Sequence, residues 1–122
     1  MLEINLQERQ PIWIALSAFY LDTELQATDF KDIAARIKES PYSLEEVNVI
    51  NKDEIFPVLY TNLRSVAGIW SGFEEKWLVE EITNNFKRKN YFLRLRIKIR
   101  YATMKWMFAD YWTGVEAAYK KL

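Results

Sequence analysis

The chain has no cysteine and no histidine. Without cysteine, disulfides, thiolate nucleophiles and Cys-ligated zinc are all excluded, and the chain suits a reducing cytosol. Without histidine, the usual general base near neutral pH, the Ser-His triad and the commonest metal ligand are gone. Any catalysis would fall to carboxylates, lysine or tyrosine alone. The two absences together argue against an ordinary hydrolase, nuclease or metalloenzyme. The expectation is a protein that is not an enzyme and that uses no cofactor and no metal. Long apolar runs are missing as well: no stretch approaches about 18 uncharged apolar residues, so no membrane span is expected. The opening MLEINLQERQ carries an early acid and no apolar run of signal length. That predicts no secretion signal, no membrane partner and a cytoplasmic location. Repeats, low-complexity stretches and flexible linkers are also lacking.

What is present describes an ordered globule. Half of the 122 residues are apolar and 16% are aromatic, which is too apolar for a disordered chain. Folding at this size buries about two-thirds of the chain's surface, enough for one core without staples. A single helical domain over residues 1–122 is expected.

The 17 basic and 17 acidic residues cancel in total but not in distribution. Residues 1–60 hold 11 acids and 5 bases, and residues 61–122 hold 6 acids and 12 bases, so the halves carry −6 and +6. The two halves either attract each other within one fold or serve the capture of a charged partner. The imbalance peaks between Lys87 and Lys105, where eight bases occur without an acid. Within this run, LRLRIKIRY (Leu93 to Tyr101) alternates apolar and cationic residues throughout. Set against the acidic N-terminal half, the run reads as one side of an internal charge balance.

That alternation supports two backbones. As a strand, Leu93, Leu95, Ile97, Ile99 and Tyr101 share one face, and the four cations between them share the other. As a helix, Phe92, Leu95, Ile99, Ala102 and Trp106 form one stripe, and Leu93, Ile97, Met104 and Phe108 form a second on the far side. Such a helix would lie sandwiched between two neighbours. Lys87, Arg94, Lys98 and Lys105 would snorkel from one gap, with Lys89, Arg96 and Arg100 in the other. A strand needs a partner, and the only other clean alternation is Leu2 to Gln7. A two-stranded ribbon of residues 2–7 with 92–101 is marginal by itself.

Helix signals elsewhere set the class. Pro11 suits a first helical position, with Ile12, Leu16, Phe19 and Tyr20 at helical spacing behind it. Leu21 to Leu25 reads as a break. Phe30, Ile33, Ala34 and Ile37 predict a helix over 29–39 capped by Thr28 and ended by Ser40-Pro41. Ser43 with Glu46, Asn51 with Glu54, Ser71 with Glu74 and Thr113 with Glu116 each match a capping box. Pro57 falls early in its helix, and Gly68 and Gly72 flank Trp70 in a tight passage. The predicted class is all-α with five to seven helices; the alternative is α+β with the small ribbon.

Two groups of residues invite a functional reading. The acid pairs Asp22/Glu24, Glu45/Glu46, Glu74/Glu75 and Glu80/Glu81 could perform acid–base work or hold Mg²⁺. All four fit first-turn charge or solvated faces better, and Asp22/Glu24 is the least explained of them. Asp22 with Glu24 therefore marks the alternative of a carboxylate-only enzyme. The second group interleaves aromatics with the basic run: Arg94, Arg96, Lys98, Arg100 and Lys105 with Trp106 and Trp112. Interface hot spots favour tryptophan, tyrosine and arginine, which predicts a protein partner. Cations on phosphates with aromatics under bases would instead serve nucleic acid. A sequence pI near 6.3 argues against general nucleic-acid affinity. The most concrete expectation is an immunity- or antitoxin-like inhibitor masking a cognate toxin.

Several segments resemble a family of short uncharacterised bacterial proteins, a domain of unknown function. They are Arg9-x-Pro11-x-Trp13-x-Ala15-Leu16-Ser17, Leu21-Asp22-Thr23-Glu24-Leu25 and Ser40-Pro41-Tyr42-Ser43. Phe56-Pro57-Val58-Leu59 with Asn62-Leu63, and Val66-Ala67-Gly68-x-Trp70-x-Gly72-Phe73, complete the set. The resemblance covers roughly the N-terminal two-thirds and leaves out the basic run. It implies a small soluble bacterial protein and supplies no reaction or ligand.

Overall fold

A computed structural model of the chain describes residues 5–21, 24–64, 72–86 and 91–122, apart from the side chains at 63, 64 and 86. The protein is all-α, and no strand occurs among the described residues. The elements are α1 (Leu6–Ser17), α2 (Ala27–Glu39), α3 (Leu44–Ile50), α4 (Phe56–Arg64), α5 (Glu75–Phe86), α6 (Tyr91–Met104) and α7 (Ala109–Lys120). Short 3₁₀ turns follow α1 at Ala18–Tyr20 and α6 at Lys105–Phe108. The ribbon alternative does not form, because Leu6 and Gln7 open α1 and residues 92–101 lie within α6.

The helix α1 begins five residues earlier than the proline signal suggested. Asn5 caps it, its side-chain oxygen accepting from the Glu8 N–H at 3.2 Å. Pro11 therefore sits inside the helix, where it leaves the Gln7 carbonyl without its usual donor. Thr28 is likewise internal: α2 starts at Ala27, and the Asp29 carboxylate accepts from the Gln26 N–H at 2.7 Å. The Ser43/Glu46 box forms as predicted, with reciprocal bonds of 3.1 and 3.0 Å. Ser71 lies outside the described residues. The cap of α5 is Glu74, whose carboxylate accepts from the Trp77 N–H at 2.6 Å. Just before it, Gly72 holds φ +141, a conformation open to glycine. Thr113 caps nothing. It lies in the middle of α7 and donates back to the Ala109 carbonyl at 3.0 Å.

Asn51 is the most informative departure. A cap needs a break in the helix, yet Asn51 keeps helical angles (φ −59, ψ −48). The chain runs on through a π-helical turn, Asn51–Ile55, directly into α4. Pro57 explains the wide turn. It has no N–H for the Asp53 carbonyl and its ring would crowd that carbonyl in a tight α-turn.

The core is aromatic at its centre. Phe108 is buried in the turn between α6 and α7. Its ring lies 5.2 Å from Tyr20, 6.1 Å from Phe19, 6.2 Å from Phe56 and 6.3 Å from Tyr101, centroid to centroid. Trp112 closes the far side, edge-on to Phe19 at 5.0 Å.

The helices α2 and α7 pack tightly against each other at Gly114. A Cβ there would sit 2.8 Å from the Phe30 ring. Alanine in place of glycine gains about 1 kcal/mol of helix propensity. Overpacking a tight contact costs roughly 1–3 kcal/mol. Gly114→Ala is therefore expected to lower stability by about 1 kcal/mol net, read as a lower urea midpoint with an unchanged slope.

Candidate functional site

Two groups of polar and apolar side chains fall outside ordinary packing: a buried hydrogen-bonded cluster at the π turn, and the outward face of α6.

The buried cluster joins the π turn to α1. Trp13 Nε1 donates to Glu54 Oε1 at 2.8 Å, and Tyr20 donates its hydroxyl to Asn51 Oδ1 at 2.5 Å. Arg9 Nε stands 3.4 Å from the same Glu54 oxygen, an ion pair rather than a hydrogen bond. The Arg9 guanidinium also lies over the Tyr42 ring, 4.9 Å from its centre. Burial pushes the Glu54 carboxyl above its ordinary value, while the Trp13 bond and Arg9 pull it down. Asn51 Nδ2 is buried without a partner. Sequence reasoning missed this cluster because its pairs are 31 and 41 residues apart. The available signal was the i, i+4 spacing of Arg9 and Trp13, which aims a cation and an N–H donor at one point. The cluster ties α1 to the π turn and reads as structural.

The face of α6 is different. Only one of its two apolar stripes meets the body: Ile97, Tyr101 and Met104 pack on the core. Among the described residues, the sandwiched helix expected from the sequence is covered on one of its two stripes. Its other stripe is open to solvent. Tyr91 is 75% exposed, Phe92 81%, Leu95 46% and Ile99 60%, and Trp106 just beyond the helix is 72% exposed. At 100° per residue these α6 side chains and Ala102 fall within one third of a turn. Single exposed apolar residues are unremarkable, but a contiguous stripe of large ones marks an interaction surface.

Cations border this stripe on both sides, as the helical reading required. Arg94 and Lys98 flank one edge, and Arg96 and Arg100 flank the other. Arg94, Arg96, Lys98 and Lys105 are exposed, and Arg100 is half-buried. Among the described residues the ion pairs are Arg9 with Glu54 and Lys120 with Glu116. Neither of these two pairs involves the basic run. Lys87, Arg88 and Lys89 lie outside the described residues.

Two shallow clefts run beside the ridge. One, of about 360 Å³, is lined by Phe92, Leu95, Arg96, Ile99 and Arg100. The other, of about 490 Å³, separates Tyr91, Arg94 and Lys98 from Lys52, Asp53 and Pro57 on the opposite wall. Tyr101 lies in this second cleft, its hydroxyl pushed above the ordinary value by burial and then by the Asp53 charge.

The structure thus brings together six of the seven partner-binding candidates: Arg94, Arg96, Lys98, Arg100, Lys105 and Trp106. Trp112 does not join them, since it is packed against Phe19 in the core. The carboxylate alternative gains nothing from the geometry. Glu24 is exposed and Asp22 lies outside the described residues. Glu45 and Glu46 sit in the first turn of α3, and Glu74 caps α5. No group of three metal-ligating side chains occurs among the described residues. No described helix is long and apolar enough to cross a membrane.

Comparison with known proteins found no match among curated proteins and none among solved structures. One family model does match, over residues 7–118. That span runs from the first turn of α1 to the last turn of α7, so it includes the α6 face that the motif resemblance left out. The chain accordingly belongs to the DUF7079 family, a domain of unknown function.

Proposed function

We propose that this is a non-catalytic protein-interaction domain whose binding surface is the outward face of α6. In its most concrete form it is a bacterial, cytoplasmic inhibitor of the immunity or antitoxin kind, masking a cognate toxin. One observation carries this reading: a contiguous, solvent-exposed apolar stripe on a surface helix, bordered by cations that form no ion pair among the described residues. Exposing such a stripe is costly in water, and burial against a partner recovers that cost. The absence of cysteine and histidine in a small chain fits an inhibitor better than an enzyme.

The test is recovery of a stoichiometric complex from the native host, with host protection as the second readout. The tagged wild-type chain is expected to co-purify one partner in fixed ratio and to protect cells from that partner's expression. Ile99→Asp, on an exposed position, is expected to keep its helical circular dichroism and to lose both properties. A partner-free monomer that protects nothing defeats the proposal. So does an Ile99→Asp chain that retains the complex.

A further inference from the structure

We infer that the α6 face takes one particular kind of partner: an amphipathic helix of another protein whose apolar stripe is bordered by carboxylates. The inference rests on the proposed reading of α6 as a protein-binding surface and adds the chemistry of what it binds.

The outward stripe is itself helical in period. Phe92, Leu95, Ile99 and Ala102 recur at intervals of three and four, which is how one helix offers anchors to another lying along it. Fourteen residues give a ridge of about 21 Å, the length of a four-turn contact. Ala102, exposed beside larger neighbours, lets the two backbones draw close at one end. The clefts on either side of the ridge, about 360 and 490 Å³, admit the side chains of an opposing helix.

Charge selects the occupant. Arg94 and Lys98 on one border and Arg96 and Arg100 on the other point to a partner with carboxylates on both its borders. A second copy of this chain meets this requirement badly. A two-fold contact of α6 on α6 would set each cationic border against a cationic border. Nucleic acid fits no better, because the two borders lie on opposite sides of an apolar ridge. A phosphate backbone reaching one border leaves the ridge exposed, and one crossing the ridge is desolvated against leucine and isoleucine. An anionic bilayer accepts an apolar stripe with basic edges. However, a flat bilayer leaves unfilled the clefts on both sides of the ridge, which the side chains of an opposing helix fill.

The experiment uses the intact protein and two designed helical peptides of about 18 residues, labelled with fluorescein. Both carry leucine at i, i+3, i+4 and i+7. One has glutamate along both borders and the other has lysine. Fluorescence anisotropy is expected to show saturable binding of the glutamate peptide, weakened roughly tenfold by raising salt from 50 to 500 mM. The lysine peptide is expected not to bind. Ile99→Asp should weaken the glutamate peptide by roughly 30-fold, the size of a hot-spot loss. The double substitution Arg94→Glu with Lys98→Glu should reverse part of the charge preference. Equal binding of the two peptides, or binding of neither, overturns the inference. Capture of the protein by phosphatidylserine vesicles without peptide discrimination also overturns it and assigns the face to a membrane. The two failures are separable. A native complex lost in Ile99→Asp, together with peptides that do not discriminate, sinks only the acidic helix. A native complex that survives Ile99→Asp sinks the α6 face itself.

Discussion

Phe108→Ala is expected to lower the unfolding free energy by about 4 kcal/mol, within the range for a fully buried phenylalanine. Phe108 is 1% exposed and meets four aromatic rings from three other parts of the fold. Truncation removes its own transfer free energy and leaves a cavity among rigid rings that collapse poorly. It also forfeits ring–ring pairings worth roughly 0.5–1.5 kcal/mol each. Domains of this kind hold only about 5–15 kcal/mol in total. A loss of this size brings the variant near its folding threshold, visible as a large fall in the guanidinium midpoint. Phe108→Leu fills more of the space and should recover over half of the loss. Equal losses for the two variants would deny Phe108 its central place.

Glu54→Ala is expected to cost about 3 kcal/mol, because it strands two partners. Trp13 Nε1 loses its acceptor, and the Arg9 cation, itself mostly buried, loses its counter-charge. Removing one member of such a buried pair typically costs roughly 3–5 kcal/mol, and partial exposure of Arg9 places this case at the low end. Glu54→Gln keeps an oxygen for Trp13 and should cost much less. The pair also has a pH signature. Burial raises the Glu54 carboxyl above its ordinary value of 4.5, so the folded state binds its proton more tightly than the unfolded chain does. The contribution of this group is fully present below that ordinary value. It is lost as pH rises through the raised folded value. The stability of the wild type relative to Glu54→Gln should therefore fall as pH climbs from 4.5. Urea titrations of both proteins across that interval read the difference, and a gap that widens in the other direction would refute the sign.

Much of this architecture was legible in residue spacing. Ile33, Ala34 and Ile37 face inward from α2 as their period requires, and Ser43 with Glu46 caps α3. The capping boxes that failed share a cause. Asn51 and Thr113 match a cap pattern that says nothing about whether the chain breaks there. Buried demand for Asn51 from Tyr20, and an intrahelical carbonyl for Thr113, took those side chains instead. For α6 the helical period correctly assigned two apolar stripes and two cationic borders. It could not say that only one stripe would be covered, because coverage depends on where the helix lies in the fold. Trp112 shows the same limit, since an aromatic near the basic run turned out to serve the core. Two of the segments that resembled a family supply joints of the fold. Arg9 and Trp13 meet Glu54, and Asn62 donates to the Tyr20 carbonyl at 2.6 Å.

The π turn at Asn51–Ile55 has an effect on register as well as on hydrogen bonding. Val47, Ile50, Asn51 and Glu54 form an inward line at ordinary helical spacing, and Phe56 with Leu59 forms another. In an unbroken α-helix the second line would lie on nearly the opposite face, rotated by roughly 160° from the first. The wide turn absorbs the surplus residue, as a single-residue insertion into a helix would be absorbed. Lys52 and Asp53 are its exposed part. They are the point where the length of the segment from Leu44 to Arg64 is reconciled with a single core.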